Sequence, residues 1–226
     1  MIKYDYIKSN NTEKLVVLIH GWNTSSIYME SFINPLKSHF NIINIDLFNQ
    51  NDEEYTIEKY VDEIHQIISK FNSKEVVFIS HSFGGKISYF YGLKHPVKAL
   101  ILLAPSLIKP RFNLRKFLKI KLYKLFKLIR WKVPYFLQGS RDYQNAKGAM
   151  KKTFINCHKR YINKKELLNS ILLVIGFNHD QEVKPYQIKK IKKYQKTAEI
   201  IIFHGNHFSY LDYIKEICLK VYDIFK

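Results

Sequence analysis

The sequence predicts an α/β fold, a mostly parallel sheet with helices on both faces, and an inserted helical cap. Three observations predict it. Apolar runs of strand length recur at residues 15–20, 41–46, 75–80, 97–104, 170–176 and 198–203. Segments with helical spacing lie between most of them, and strands that alternate with helices cross over and pair in parallel. The third is size. A chain of 226 residues, 46% hydrophobic and 25% charged, suits one large domain, or one with a lid, and buries about 70% of the surface its unfolded chain exposes.

Each element has its own signal. Leu15-Val-Val-Leu-Ile-His20 is an unbroken apolar run, as expected of a strand covered on both faces. Helical spacing follows around Tyr28 to Ser38, and Asn41–Asp46 is the next strand. From Thr56 to Phe71 the apolar residues Ile57, Val61, Ile64, Ile67, Ile68 and Phe71 follow a helical period. Thr56 forms no capping box with Lys59 but can still cap. Glu75–Ser80 is a third strand, Gly84–His95 a helix ended by Pro96, and Val97–Ala104 a fourth strand. The alternation then stops. It resumes with a strand at Ser170–Gly176, a polar helix at Lys184–Gln195, a strand at Ala198–Phe203 and an amphipathic helix at Tyr210–Phe225. The core is therefore expected at 1–104 and 170–226, with 105–169 as the cap.

Residues 1–14 contain no apolar stretch of signal-peptide length, and no run approaches the ~18 apolar residues of a membrane span. Cys157 and Cys218 match no metal or redox spacing, so reduced thiols in a cytoplasmic protein are expected.

The net charge of +18 is unevenly placed. Residues 105–165 hold 18 basic residues against one acid, Asp142, which leaves +1 for the rest of the chain. All five arginines (Arg111, Arg115, Arg130, Arg141 and Arg160) fall there, so a general bias toward lysine does not account for the placement.

Ser80-His-Ser-Phe-Gly84 lies between a buried strand and a helix. A sharp turn there lifts one hydroxyl, that of Ser82, above the strand ends. Residues two positions away must be small. Gly84 satisfies this, Gly85 adds room, and Ser80 stands where a glycine is usual. In this context the segment resembles the nucleophile elbow of the α/β-hydrolase family.

That resemblance implies further roles. Phe203-His-Gly-Asn-His-Phe-Ser-Tyr-Leu-Asp212 is similar to the family's base loop and makes His207 the base. Gly176-Phe-Asn-His-Asp180, one residue longer than the family's loop, offers Asp180 as the acid. The order Ser82, Asp180, His207 is the family's order. His20-Gly-Trp22 resembles its H-G motif, so the backbone N–H groups of Trp22 and Phe83 are the implied oxyanion hole, with His20 and Gly21 shaping the loop. No metal or organic cofactor is implied. Gly139–Gly148 is similar to a string in small bacterial members of the family.

His204 is the rival base, three residues before His207. Asp46 ends a strand too early to be the acid, and Ala104-Pro105 removes the alternative acid position. His81 is expected to pack beside the elbow and His179 to be solvated. The expected activity is cleavage of an ester-like bond in a small acyl or lipid-like substrate. The alternative is a non-catalytic cationic module for anionic lipid or nucleic acid.

Residues 111–132 carry nine basic residues and no acid. At about 100° per residue, Leu114, Phe117, Leu118, Leu122, Leu125, Leu128 and Ile129 share one face, and Lys116, Lys119, Lys127 and Arg130 lie opposite. Lys121 interrupts the apolar face. One reading is a lid with this face packed over the active site. Another is peripheral contact with an anionic membrane. Nucleic acid is the weakest of the three, since no recognised module accompanies the charge.

Overall fold

A computed structural model describes residues 2–10, 13–48, 53–129, 131–134, 143, 144 and 146–226. Among them, β1 (Lys3–Ile7), β2 (Lys14–Ile19), β3 (Asn41–Asp46), β4 (Glu75–His81), β5 (Ala99–Leu103), β6 (Ile171–Phe177) and β7 (Glu199–Phe203) form one sheet in the order β1-β3-β2-β4-β5-β6-β7. β1 runs antiparallel to β3, and every other pairing is parallel.

The apolar runs are continuous because both faces of the sheet are covered. Along β2, Val17 enters one core and Val16 and Leu18 the other. The first core is closed by α2 (Ile57–Ile68), α3 (Ser82–Lys94) and α6 (Pro185–Ile191). The second is closed by a 3-10 segment at Ser26–Phe32 running into the single turn α1 (Ile33–Leu36), and by α7 (Ile214–Phe225). The Thr56 hydroxyl caps α2 by accepting the Lys59 N–H at 3.2 Å.

Several boundaries differ from expectation. β1 carries no continuous apolar run. It is an edge strand, and Tyr4 and Tyr6 pack on Phe71 at 6.1 and 4.3 Å. α3 starts at Ser82, two residues early, because the elbow residue itself opens the helix. The segments expected at Tyr28–Ser38 and Lys184–Gln195 are shorter helices, and Tyr210 lies in a 3-10 turn (Ser209–Tyr213) before α7.

Among the described residues, the stretch expected as a cap, 105–169, holds α4 (Leu114–Leu128) and α5 (Gly148–His158). Arg130, Arg141 and half of the Gly139–Gly148 string lie outside the described residues. α5 is fastened to the core: Thr153 Oγ1 accepts the Tyr55 N–H at 2.8 Å, and the buried Lys86 ammonium donates to the Cys157 carbonyl at 3.2 Å. α4 departs from the lid expectation. Its leucine face is exposed, while Tyr123 and Phe126, on another side of the helix, are half-buried.

Candidate active site

The elbow forms where β4 meets α3. Ser82 has φ +49°, a left-handed conformation that costs a non-glycine residue of order 1–3 kcal/mol. The surrounding backbone fixes it. The Ser82 carbonyl accepts the Ser106 N–H at 3.2 Å. A Cβ on Gly84 would lie 2.5 Å from the His20 carbonyl oxygen and 2.6 Å from that of Ile19, so α3 approaches the end of β2 only because this side chain is absent. Ser80 is accommodated in the usual glycine position by a 2.6 Å hydrogen bond between its hydroxyl and that of Ser88.

His207 and Asp180 meet below the elbow. The His207 Nδ1–H donates to Asp180 Oδ2 at 2.7 Å, and both side chains are buried. Asp180 Oδ1 accepts the Glu182 and Val183 N–H groups at 2.8 and 2.9 Å. Three donors thus hold the carboxylate in one orientation. His204 is exposed and takes a hydrogen bond on Nδ1 from the Asn178 amide at 3.3 Å. His179 is exposed beside it, with the two rings 4.9 Å apart.

His81 links elbow and base loop. Its Nε2–H donates to the His207 carbonyl at 2.9 Å, and the two rings lie 4.6 Å apart. Burial first, and then the neighbouring His207, hold the His81 pKa well below the ordinary histidine value, so it is neutral. That leaves Nδ1 bare toward Gly21, where a Cβ would sit 2.9 Å from Nδ1 and 3.4 Å from the Ser82 Cβ. Gly21 is therefore the residue that lets the first loop approach His81 and Ser82 closely.

His20 braces that loop. Its Nε2 accepts the Leu47 N–H at 2.9 Å, which places the proton on Nδ1, facing the Gly21 carbonyl at 2.8 Å. Burial lowers its pKa, against the opposing effects of that carbonyl and of Asp46. Asp46 lies 3.3 Å from Nε2, at the end of β3 and away from Asp180. Trp22 follows, with its ring edge-on to Phe48, Phe83 and the cap residue Phe154 at 4.8, 5.2 and 5.1 Å. Phe83 lies in the first turn of α3, whose leading N–H groups have no acceptor within the helix.

Two features left no trace in the sequence patterns. Glu182 Oε2 lies 3.4 Å from His207 Nε2, so both ring nitrogens face carboxylates. Phe48 and Phe154 complete an aromatic wall around Trp22 although they lie more than a hundred residues apart in the chain.

The fold has counterparts among solved structures. An esterase from Exiguobacterium antarcticum superposes with a TM-score of 0.75 at 18% identity, covering 100% of this chain and 96% of that one. A lipase-esterase related protein from Clostridium acetobutylicum gives 0.72 at 19% identity, with 99% of each chain covered. By sequence, a probable lysophospholipase, BODYGUARD 2 of Arabidopsis thaliana, is 33% identical over an alignment of 108 residues, gaps included, that covers 42% of this chain and 23% of that protein. A 1-acylglycerol-3-phosphate O-acyltransferase from the same plant is 29% identical over an alignment of 103 residues that covers 40% of this chain and 25% of that protein. The chain thus aligns with about a quarter of the length of these curated relatives. The alpha/beta hydrolase fold family matches residues 14–130, half of the chain, across β2, the elbow and α4. With the sheet order, the strained Ser82 turn and these likenesses together, the chain belongs to the α/β-hydrolase fold family.

Proposed function

We propose that this protein is a serine hydrolase that cleaves an ester-like acyl bond through Ser82, His207 and Asp180. One observation carries the reading: His207 Nδ1 is held 2.7 Å from a fully oriented Asp180 carboxylate, on a loop hydrogen-bonded to the residue before a left-handed Ser82. With its proton committed to Asp180, the imidazole keeps an unprotonated Nε2, which has Glu182 Oε2 3.4 Å away. That nitrogen takes the Ser82 proton as Oγ attacks the carbonyl carbon, and Asp180 stabilises the imidazolium formed. The backbone N–H groups of Trp22 and Phe83 receive the developing oxyanion, a contribution of roughly 3 kcal/mol per donor. His207 then protonates the leaving alcohol, and water releases the acyl group by the reverse sequence. Two relatives bear names for a lysophospholipase and for acyl transfer to 1-acylglycerol-3-phosphate, which supports a lipid-like acyl ester as substrate.

Turnover of p-nitrophenyl esters of rising chain length tests the assignment. Ser82→Ala and His207→Ala should each lower kcat by roughly 10⁴-fold or more, and the double variant by little more, because the residues act as a unit. His204→Ala should stay close to the parent enzyme. An inactive His204→Ala beside an active His207→Ala would reverse the choice of base.

A further inference from the structure

We infer that α4 is a docking element for an anionic lipid surface, held beside the acid loop. Leu118, Leu125 and Leu128 are 55%, 50% and 79% exposed, and Leu114 and Ile129 on the same face are exposed too. A stripe of this kind normally faces a core. Here the half-buried residues Tyr123 and Phe126 lie on another side of the helix, leaving the leucines in solvent. Lys121 interrupts the stripe and Arg115 and Lys124 flank it, while Lys119 and Lys127 lie on the opposite side, and none of the five has a carboxylate partner among the described residues.

The chemistry of the face selects its occupant. A nucleic acid would satisfy the lysines and leave the leucines wet. A second copy would bury the leucines but set two acid-free cationic helices against each other. A bilayer with anionic headgroups takes both: apolar side chains enter the headgroup boundary while lysine stems reach back to the phosphates. Among the described residues no helix is long and apolar enough to cross a membrane, so the contact is superficial.

The anchor of α4 places this surface near the site. The Arg111 N–H donates to the Tyr186 hydroxyl at 2.9 Å, and the Arg111 guanidinium lies 4.4 Å above the Tyr186 ring. Tyr186 follows Asp180 by six residues and lies at the start of α6. α4 therefore leaves the core beside the loop that holds the catalytic acid.

Flotation with vesicles tests the inference without relying on catalysis. The full chain should float with phosphatidylglycerol–phosphatidylcholine vesicles and not with pure phosphatidylcholine. Its apparent affinity should fall about tenfold or more between low and high salt, as the Debye length shrinks from ~10 Å to ~3 Å. Charge reversal at Lys119, Lys121, Lys124 and Lys127 should remove binding. So should Leu118→Ser, Leu125→Ser and Leu128→Ser combined, with thermal melting as the control for folding. Ser82→Ala should bind like the parent, so a failed hydrolase assignment would leave this result standing. Equal binding to neutral vesicles, no binding to either, or undiminished binding by the charge-reversed protein would overturn the inference. Self-association of the free chain that the leucine changes abolish would assign the face to a second copy instead.

Discussion

At the scale of single residues, the site depends on backbone approach as much as on reactive groups. Gly84 is the sharpest case, because its missing Cβ would strike two carbonyl oxygens at 2.5 and 2.6 Å. Those atoms belong to the β2 terminus and cannot rotate away like a side chain. Gly84→Ala should therefore destabilise the fold by about 2–4 kcal/mol, read as a lower denaturation midpoint. An unchanged midpoint would mean that α3 can shift outward freely. Asp180→Asn keeps the volume but replaces an acceptor with an amide, which favours the wrong tautomer of His207. It should lower kcat by several orders of magnitude while leaving the chain folded. Ser82, Asp180 and His207 stood out as candidates because each follows a strand in the order of the family that the elbow resembles, and the structure brings Asp180 and His207 to 2.7 Å. Glu182 was not, since nothing in a linear pattern says that an exposed carboxylate two residues past Asp180 turns toward the far ring nitrogen.

At the scale of elements, α2 and α3 illustrate two ways of fixing a helix. α2 begins at a capping hydroxyl, so Thr56→Ala should cost about 1 kcal/mol in chemical denaturation. α3 carries a buried cation. The Lys86 ammonium meets the Cys157 carbonyl at 3.2 Å and the Tyr161 ring at 4.7 Å, without a paired carboxylate among the described residues. Burial lowers its pKa from 10.5 to about 8. Between those values the unfolded chain holds the proton more often than the folded one, so the contribution of Lys86 to stability should rise with pH from about 8 to about 10.5, against the opposite effect of the Cys157 and Cys218 thiols, which burial pushes up from 9.0 to about 12. At neutral pH the buried charge is a cost. Lys86→Met should flatten that rise and leave stability at pH 7 equal or higher. A rise that survives in Lys86→Met would assign it to another group. The core helices and strands β2 to β7 were legible because covering both sheet faces forces continuous apolar runs, as at Leu15–Ile19 and Ala99–Leu103. β1 was not, because this antiparallel edge strand mixes polar and aromatic residues and shows no such run. Its alternating Lys3-Tyr-Asp-Tyr-Ile7 packs through two tyrosines on Phe71.

Across the whole molecule, the excess charge and the candidate site belong to different parts of the chain. The core carries the strained serine, the oriented imidazole and nearly balanced charge, while residues 105–165 carry +17 of the +18. Amphipathicity in residues 111–132 was legible in the sequence, but the direction of the apolar face was not. A helical period shows that a stripe exists, whereas only tertiary contacts decide whether it meets the core or the solvent. The segregation implies that chemistry at Ser82 is separable from the cap's charge. Labelling by a small soluble fluorophosphonate should accordingly vary little with salt over the range that abolishes vesicle binding. Whether Ser82 is the activated nucleophile is decided by intact-mass measurement and peptide mapping after fluorophosphonate treatment. A single adduct is expected on Ser82, absent in Ser82→Ala and formed far more slowly in His207→Ala. An adduct on Ser80, labelling that persists in Ser82→Ala, or no adduct on the folded protein would contradict that role for Ser82.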